Sequence, residues 1–126
     1  MEAKLSTAFP VHYQDGKLFM EQLDLANVAK EHGSPCYVYS KKHIVDAYTS
    51  FQNAFASHPN QICYAVKANS NISILRLFAK LGAGFDIVSQ GELYRVLQAG
   101  GDPAKVVFSG VGKTEQEMRF ALEKNK

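Results

Sequence analysis

The sequence predicts an α/β chain built on a parallel sheet, and three observations carry that prediction. From Ile62 onward, three short apolar runs recur, Ile62 to Val66, Phe85 to Val88 and Val106 to Phe108. Each is followed by a segment with apolar residues at helical spacing. The runs are continuously apolar rather than alternating, with Asp86 as the exception, which is the pattern of strands covered on both faces. An open doubly wound sheet and a (β/α)8 barrel both fit. A barrel needs eight such units over about 250 residues, so three would form less than half of one.

The elements follow in order. Val11 and Tyr13 lead into Asp15-Gly16, with Leu18 and Met20 alternating beyond, which predicts a hairpin. Leu25, Val28 and Ala29 mark a short helix, opened by Asp24, closed by Gly33 and followed by Pro35. Cys36-Tyr37-Val38-Tyr39 is rich in β-formers and reads as a strand. Ser40 caps the next helix, whose expected buried stripe is Ile44, Tyr48, Phe51 and Phe55. After the strand at 62–66, Ile74, Leu77, Phe78 and Leu81 form a helix face that stops at Gly82. After the strand at 85–88, Ser89 and Glu92 form a capping box, with Leu93, Val96 and Leu97 facing inward as far as the turn Gly100-Gly101-Asp102-Pro103. After Val106-Val107-Phe108, Thr114 and Glu117 form a second capping box, and Met118, Ala121 and Leu122 are the expected inner face.

Composition narrows the function classes. With 126 residues, 46% hydrophobic and 21% charged, the chain reads as one ordinary globular domain. A net charge of +2 without a basic run gives no reason to expect a nucleic-acid or membrane partner. No apolar stretch approaches the roughly 20 residues of a membrane span. Met1 to Leu5 lacks the apolar core of a secretory signal. Cys36 and Cys63 sit in apolar runs without metal or redox spacing, so they are expected to be reduced, buried packing residues of a cytosolic protein. His12, His32, His43 and His58 share no ligand spacing, so no metal site is expected.

Two residues could carry chemistry. Lys67 follows an apolar strand and precedes the polar turn Ala68-Asn69-Ser70-Asn71, which puts an amine at the C-terminal end of a parallel strand. Both candidate folds place active sites there. Such an amine, partly desolvated, could condense with an aldehyde cofactor; equally, it could reach out to water. Asp86 lies inside an apolar run, where a buried carboxylate would need a cation such as Lys67 one strand away. A strand-start aspartate facing solvent is the competing reading. Gly110-Val111-Gly112-Lys113-Thr114 ends like a phosphate loop, but Val107 stands where the first glycine should be. The segment reads instead as a tight turn ahead of a helix cap. Gly82-Ala83-Gly84 precedes its strand and is a helix stop.

The segment Tyr64-Ala65-Val66-Lys67-Ala68-Asn69 resembles the cofactor-lysine motif of the alanine-racemase-like pyridoxal-phosphate-dependent decarboxylases. Gly84-Phe85-Asp86-Ile87-Val88-Ser89-Gln90-Gly91-Glu92-Leu93 is similar to that family's next block, at the family's distance from the lysine. Val107 to Lys113 is similar to a third block, and Gly33 to Tyr39 looks like the lead-in to its barrel. Gln90, often glycine in the family, is a minor departure. Ala68 sets the chain apart from ornithine decarboxylases, which typically carry cysteine there, and alanine racemases continue differently after the lysine. The wording sits best with the branch that decarboxylates meso-2,6-diaminopimelate to L-lysine and carbon dioxide.

The resemblance implies the N-terminal part of a (β/α)8 barrel, preceded by a short β-hairpin and helix belonging to a β-rich domain. On this basis residues 1–39 are the lead-in, and residues 40–126 hold the first helix and first three βα units. It implies pyridoxal 5'-phosphate as cofactor, Lys67 as its attachment point, and Lys67 and Asp86 as candidate catalytic residues. A small amino-acid substrate, a cytoplasmic location and a homodimer that shares its sites across the interface are also implied. The family's later histidine, its phosphate-binding glycines and its acid on the pyridine nitrogen would fall beyond residue 126. The chain is therefore expected to be truncated and inactive alone. Other decarboxylases of the fold, of ornithine or arginine type, and a non-catalytic binder of the same cofactor are the alternatives.

Overall fold

The computed structural model describes residues 10–125. The reading of Met1 to Leu5 lies outside them. The described residues form two compact units that divide after His58.

In the first unit, β1 (Val11–Gln14) and β2 (Lys17–Met20) form the expected hairpin, with Tyr13 opposite Leu18. Asp15 and Gly16 both adopt positive φ, 49° and 73°, the left-handed pair that a two-residue hairpin turn demands. A two-residue strand, β3 (Leu23–Asp24), adds to β2. Helix α1 (Leu25–His32) follows; Asp24 accepts from the Ala26 N–H at its start, and Gly33 closes it at φ 87°. Helix α2 (Lys41–Ala54) begins at Ser40, whose hydroxyl accepts from the His43 N–H. Glu21 reaches the same end, accepting from the Ser40 hydroxyl at 2.6 Å and the Lys42 N–H at 3.1 Å. These bonds, the Ser40 hydroxyl first, hold the Glu21 carboxyl below its ordinary value.

Two expectations fail in this unit. Residues 36–39 are not a strand. β-propensity expresses itself only against a paired neighbour, and among the described residues none pairs with this segment. Tyr37 is 92% exposed, and Cys36 is exposed rather than buried. The stripe on α2 is also only partly covered. Tyr48 is buried and Ile44 half-buried, but Phe51 and Phe55 are exposed and pack on each other, with ring centroids 4.9 Å apart.

The second unit holds the parallel sheet. Strands β4 (Cys63–Ala65), β5 (Gly84–Ile87) and β6 (Val106–Phe108) lie in that order, all parallel. They alternate with helices α3 (Ile72–Lys80), α4 (Gln90–Gln98) and α5 (Glu115–Lys124). The core lies between sheet and helices, where Val66, Leu75, Phe85, Ile87, Leu93, Val96 and Ala99 are buried together. Strand alternation sends Phe85 and Ile87 into this layer and turns Asp86 to the opposite side. Gly82, at φ 83°, ends the α3 turn as expected.

The helix faces depart in part from the sequence reading. Leu75 is the fully buried centre of α3, while Leu77 and Phe78 are half-buried beside it. On α5, Phe120 and Ala121 pack on the core, whereas Met118 and Leu122 are exposed. The half-buried Cys63 lies on β4, and both cysteines are free.

Candidate functional site

Strand β4 ends in a single 3-10 turn, Val66–Ala68. Val66 is fully buried beneath it and anchors the turn to the core, leaving Lys67 exposed at its middle. The lysine thus sits directly past the strand rather than on its last residue. The loop that follows is held at several points. The Tyr64 hydroxyl donates to the Asn69 carbonyl at 3.1 Å, while its ring stacks on Phe78 with centroids 4.0 Å apart. Asn69 accepts from the Asn71 N–H, and Asn71 in turn caps α3 by accepting from the Ser73 N–H, both at 2.9 Å. Arg95 of α4 donates to the Ser70 carbonyl at 3.4 Å.

Asp86 pairs in register with Ala65, two residues before Lys67, on the neighbouring strand. It is half-buried, between the fully buried Phe85 and Ile87. An ion pair with Lys67, one of the two readings of Asp86 left open by the sequence, does not form among the described residues. Instead the Ser109 hydroxyl donates to Asp86 Oδ1. The turn at 66–68 leaves the lysine in solvent, and a neutral donor just past β6 meets the carboxylate's need. Ser109 is the site residue that sequence reasoning missed. Its position right after the third strand, at the same sheet edge as Lys67, is the signal that could have found it.

The helix starts at this edge are already capped by the chain's own side chains. Ser89 accepts from the Glu92 N–H, as expected. Glu92, however, accepts from the Val88 N–H at 2.7 Å rather than from Ser89, so the reciprocal half of the box is displaced by one residue. The box at Thr114 and Glu117 is complete. Glu117 also accepts from the Gln90 N–H at 3.1 Å. The Thr114 backbone, then Gln90 and the Thr114 hydroxyl, hold the Glu117 carboxyl below its ordinary value. Between β6 and α5, Gly110 turns at φ 85° and Lys113 folds back to donate to the Gly110 carbonyl at 2.6 Å. This closed turn, followed by the Thr114 cap, matches the reading that declined a phosphate loop here.

The sheet edge therefore presents an amine, a carboxylate and a hydroxyl. Among the described residues the Lys67 amine takes part in no hydrogen bond or ion pair. A primary amine free to condense fits an aldehyde cofactor. No group of three or more His, Cys, Asp or Glu side chains among the described residues could hold a metal ion. No helix among them is long and apolar enough to cross a membrane.

Known proteins agree in one direction. Residues 41–126 match the sequence family described as the pyridoxal-binding domain of pyridoxal-dependent decarboxylases. The chain is 59% identical over 111 residues to the diaminopimelate decarboxylase of Pseudomonas aeruginosa, covering 88% of this chain and 27% of that protein. It is 45% identical over 113 residues to the enzyme of the same name from Aquifex aeolicus, covering 90% and 26%. In three dimensions it resembles the diaminopimelate decarboxylase of M. jannaschii solved with L-lysine. There the TM-score is 0.87 at 37% identity, over 91% of this chain and 28% of that one. The chain thus spans little more than a quarter of the length of these relatives.

Proposed function

The chain belongs to the pyridoxal-dependent decarboxylases, through their pyridoxal-binding domain, and from that membership we propose that it forms the lysine-bearing portion of a diaminopimelate decarboxylase. The observation that carries the reading is Lys67, exposed and unpaired among the described residues just past β4, two residues beyond Ala65, which pairs in register with Asp86 of the next strand. The reaction is the removal of one carboxylate from meso-2,6-diaminopimelate, giving L-lysine and carbon dioxide. L-lysine bound to the M. jannaschii relative suits that product.

Pyridoxal 5'-phosphate supplies an aldehyde for an amine to join and a ring that takes up the electron pair left by a departing carboxylate. Lys67 supplies the joining amine. The same amine, when not holding the cofactor, would be available to carry a proton. Asp86, level with Ala65 on the adjacent strand, is the carboxylate assigned to orient that amine when the cofactor is bound. Tyr64, Asn69 and Asn71 keep the lysine's loop from collapsing, because their bonds fix the chain on either side of Ser70.

The lead-in at 1–39 and the barrel portion at 40–126 remain the proposed division, supported by a family match that begins at residue 41. A homodimer in the cytoplasm is the proposed setting. The test is to reduce the full-length protein with borohydride in the presence of cofactor and map the peptides, while following carbon dioxide release from meso-diaminopimelate. Cofactor mass on Lys67 together with release supports the reading; cofactor on another lysine, or no release, overturns it.

A further inference from the structure

We propose that Ser109 is a positioning residue of this site, holding the Asp86 carboxylate in place on the strand next to the one that leads into Lys67. The inference rests on the preceding reading of Lys67 and Asp86.

The hydroxyl of Ser109 is held more firmly than a loop side chain would be. Its backbone N–H donates to the Ile87 carbonyl at 2.8 Å, so the β5–β6 ladder continues one residue past the end of β6. Gly110 then turns the chain, and Lys113 ties the turn back to the Gly110 carbonyl. The Lys113 ammonium lies 5.6 Å from the centre of the Phe108 ring, on the residue preceding Ser109. With the backbone fixed on both sides, the Ser109 hydroxyl has one carboxylate to meet.

Asp86 has no other hydrogen-bond donor among the described residues, and only its Oδ1 is engaged. A carboxylate on a strand can turn about its two side-chain torsions, and each turn changes where its two oxygens point. The bond from Ser109 removes that freedom and leaves Oδ2 for the groups at the sheet edge. Three strands thereby contribute in sequence: β6 fixes the hydroxyl, the hydroxyl fixes the acid of β5, and the acid lies beside the end of β4. Ser109 thus acts through Asp86.

The experiment is a double-mutant cycle in the full-length holoenzyme, with Ser109→Ala, Asp86→Asn and the two combined. It reads kcat and KM for meso-diaminopimelate and the visible absorption of the bound cofactor. Ser109→Ala is expected to lower kcat about tenfold, the scale of one hydrogen bond to a charged group, with KM changed by less than about twofold. The cofactor band is expected to shift, and Ser109→Thr, which keeps the hydroxyl, to restore both. Added to Asp86→Asn, Ser109→Ala should cost nothing further, because its effect passes through the carboxylate. If the alanine variant does not accumulate, Ser109→Cys, similar in size but a weak donor, takes its place with the same expectation. Wild-type kcat and spectrum in Ser109→Ala, or losses that multiply with those of Asp86→Asn, would overturn this inference alone. A wild-type protein whose cofactor is not on Lys67 would overturn it together with the reading beneath it.

Discussion

Glu117, at the third position of α5, accepts a hydrogen bond from the backbone N–H of Gln90, the first residue of α4, across 27 residues of chain. One carboxylate therefore serves the starts of two helices. Negative charge at helix N-termini is favourable in both places, since the first N–H groups of each helix lack internal partners.

The pH dependence of that contact has a definite sign. The Glu117 carboxyl is held below its ordinary value, first by the Thr114 backbone and then by Gln90. A depressed folded value means that its contribution is fully present above the ordinary glutamate range and is lost as pH falls through the folded value. Unfolding midpoints of the full-length protein should therefore fall more steeply below about pH 4.3 in the wild type than in Glu117→Gln. Parallel acid profiles for the two proteins would refute the assignment.

Helix faces give a second prediction, which separates the structure from a plain periodicity reading. Leu75 is fully buried, and Leu75→Ala should destabilise by about 2–5 kcal/mol. Leu122, assigned to an inner face from spacing, is 68% exposed, and Leu122→Ala should change stability by only about 0.5 kcal/mol. Chemical denaturation of both variants decides the matter. Equal losses would show that α5 buries the other face in the full-length protein.

The difference between these two helices shows how much could be read in advance. The hairpin was legible because Asp15-Gly16 is a local turn requirement, met within four residues. The three strand–helix units were legible because their apolar runs are continuous and their caps are local. Residues 36–39 misled because β-formers need a neighbour that the segment itself cannot specify. Which stripe of α3 or α5 is deepest depends on where the sheet lies, not on spacing alone. At the site, Lys67 and Asp86 were legible as chemically unusual positions. Their real relationship was not, because Ser109, 23 residues from Asp86, reaches it only through the order of the strands.

For the chemistry itself, Lys67→Ala in the full-length protein should abolish cofactor attachment and decarboxylation while leaving the fold intact, since this exposed side chain makes no hydrogen bond or ion pair among the described residues. Far-ultraviolet circular dichroism, visible absorbance and carbon dioxide release measure the three quantities. Asp86→Asn should reduce kcat more than it raises KM. Unchanged turnover at saturating substrate would leave Asp86 a structural residue.

Residues 1–126 expressed alone should release no carbon dioxide from diaminopimelate and should lose cofactor during gel filtration. Within the described residues, β4 and β6 each have one side without a strand neighbour, and such edges template association between chains. Val107, on β6, is 50% exposed. A soluble monomer that retains stoichiometric cofactor would contradict this expectation.

Gly84 is the residue over which Gln61 passes to donate to the Lys105 carbonyl at 3.1 Å. A Cβ on Gly84 would collide with that carbonyl and with the Gln61 amide, and would come within 2.8 Å of Cys63 Sγ. The crossing therefore works as a gauge of alignment. If β5 slid by one residue, Ala83 or the ring of Phe85 would stand in the gap and the amide could no longer cross. Because a one-residue slip also sends every side chain of a strand to the opposite face, the same bare position that admits Gln61 keeps Asp86, two residues along, level with the strand that runs into Lys67.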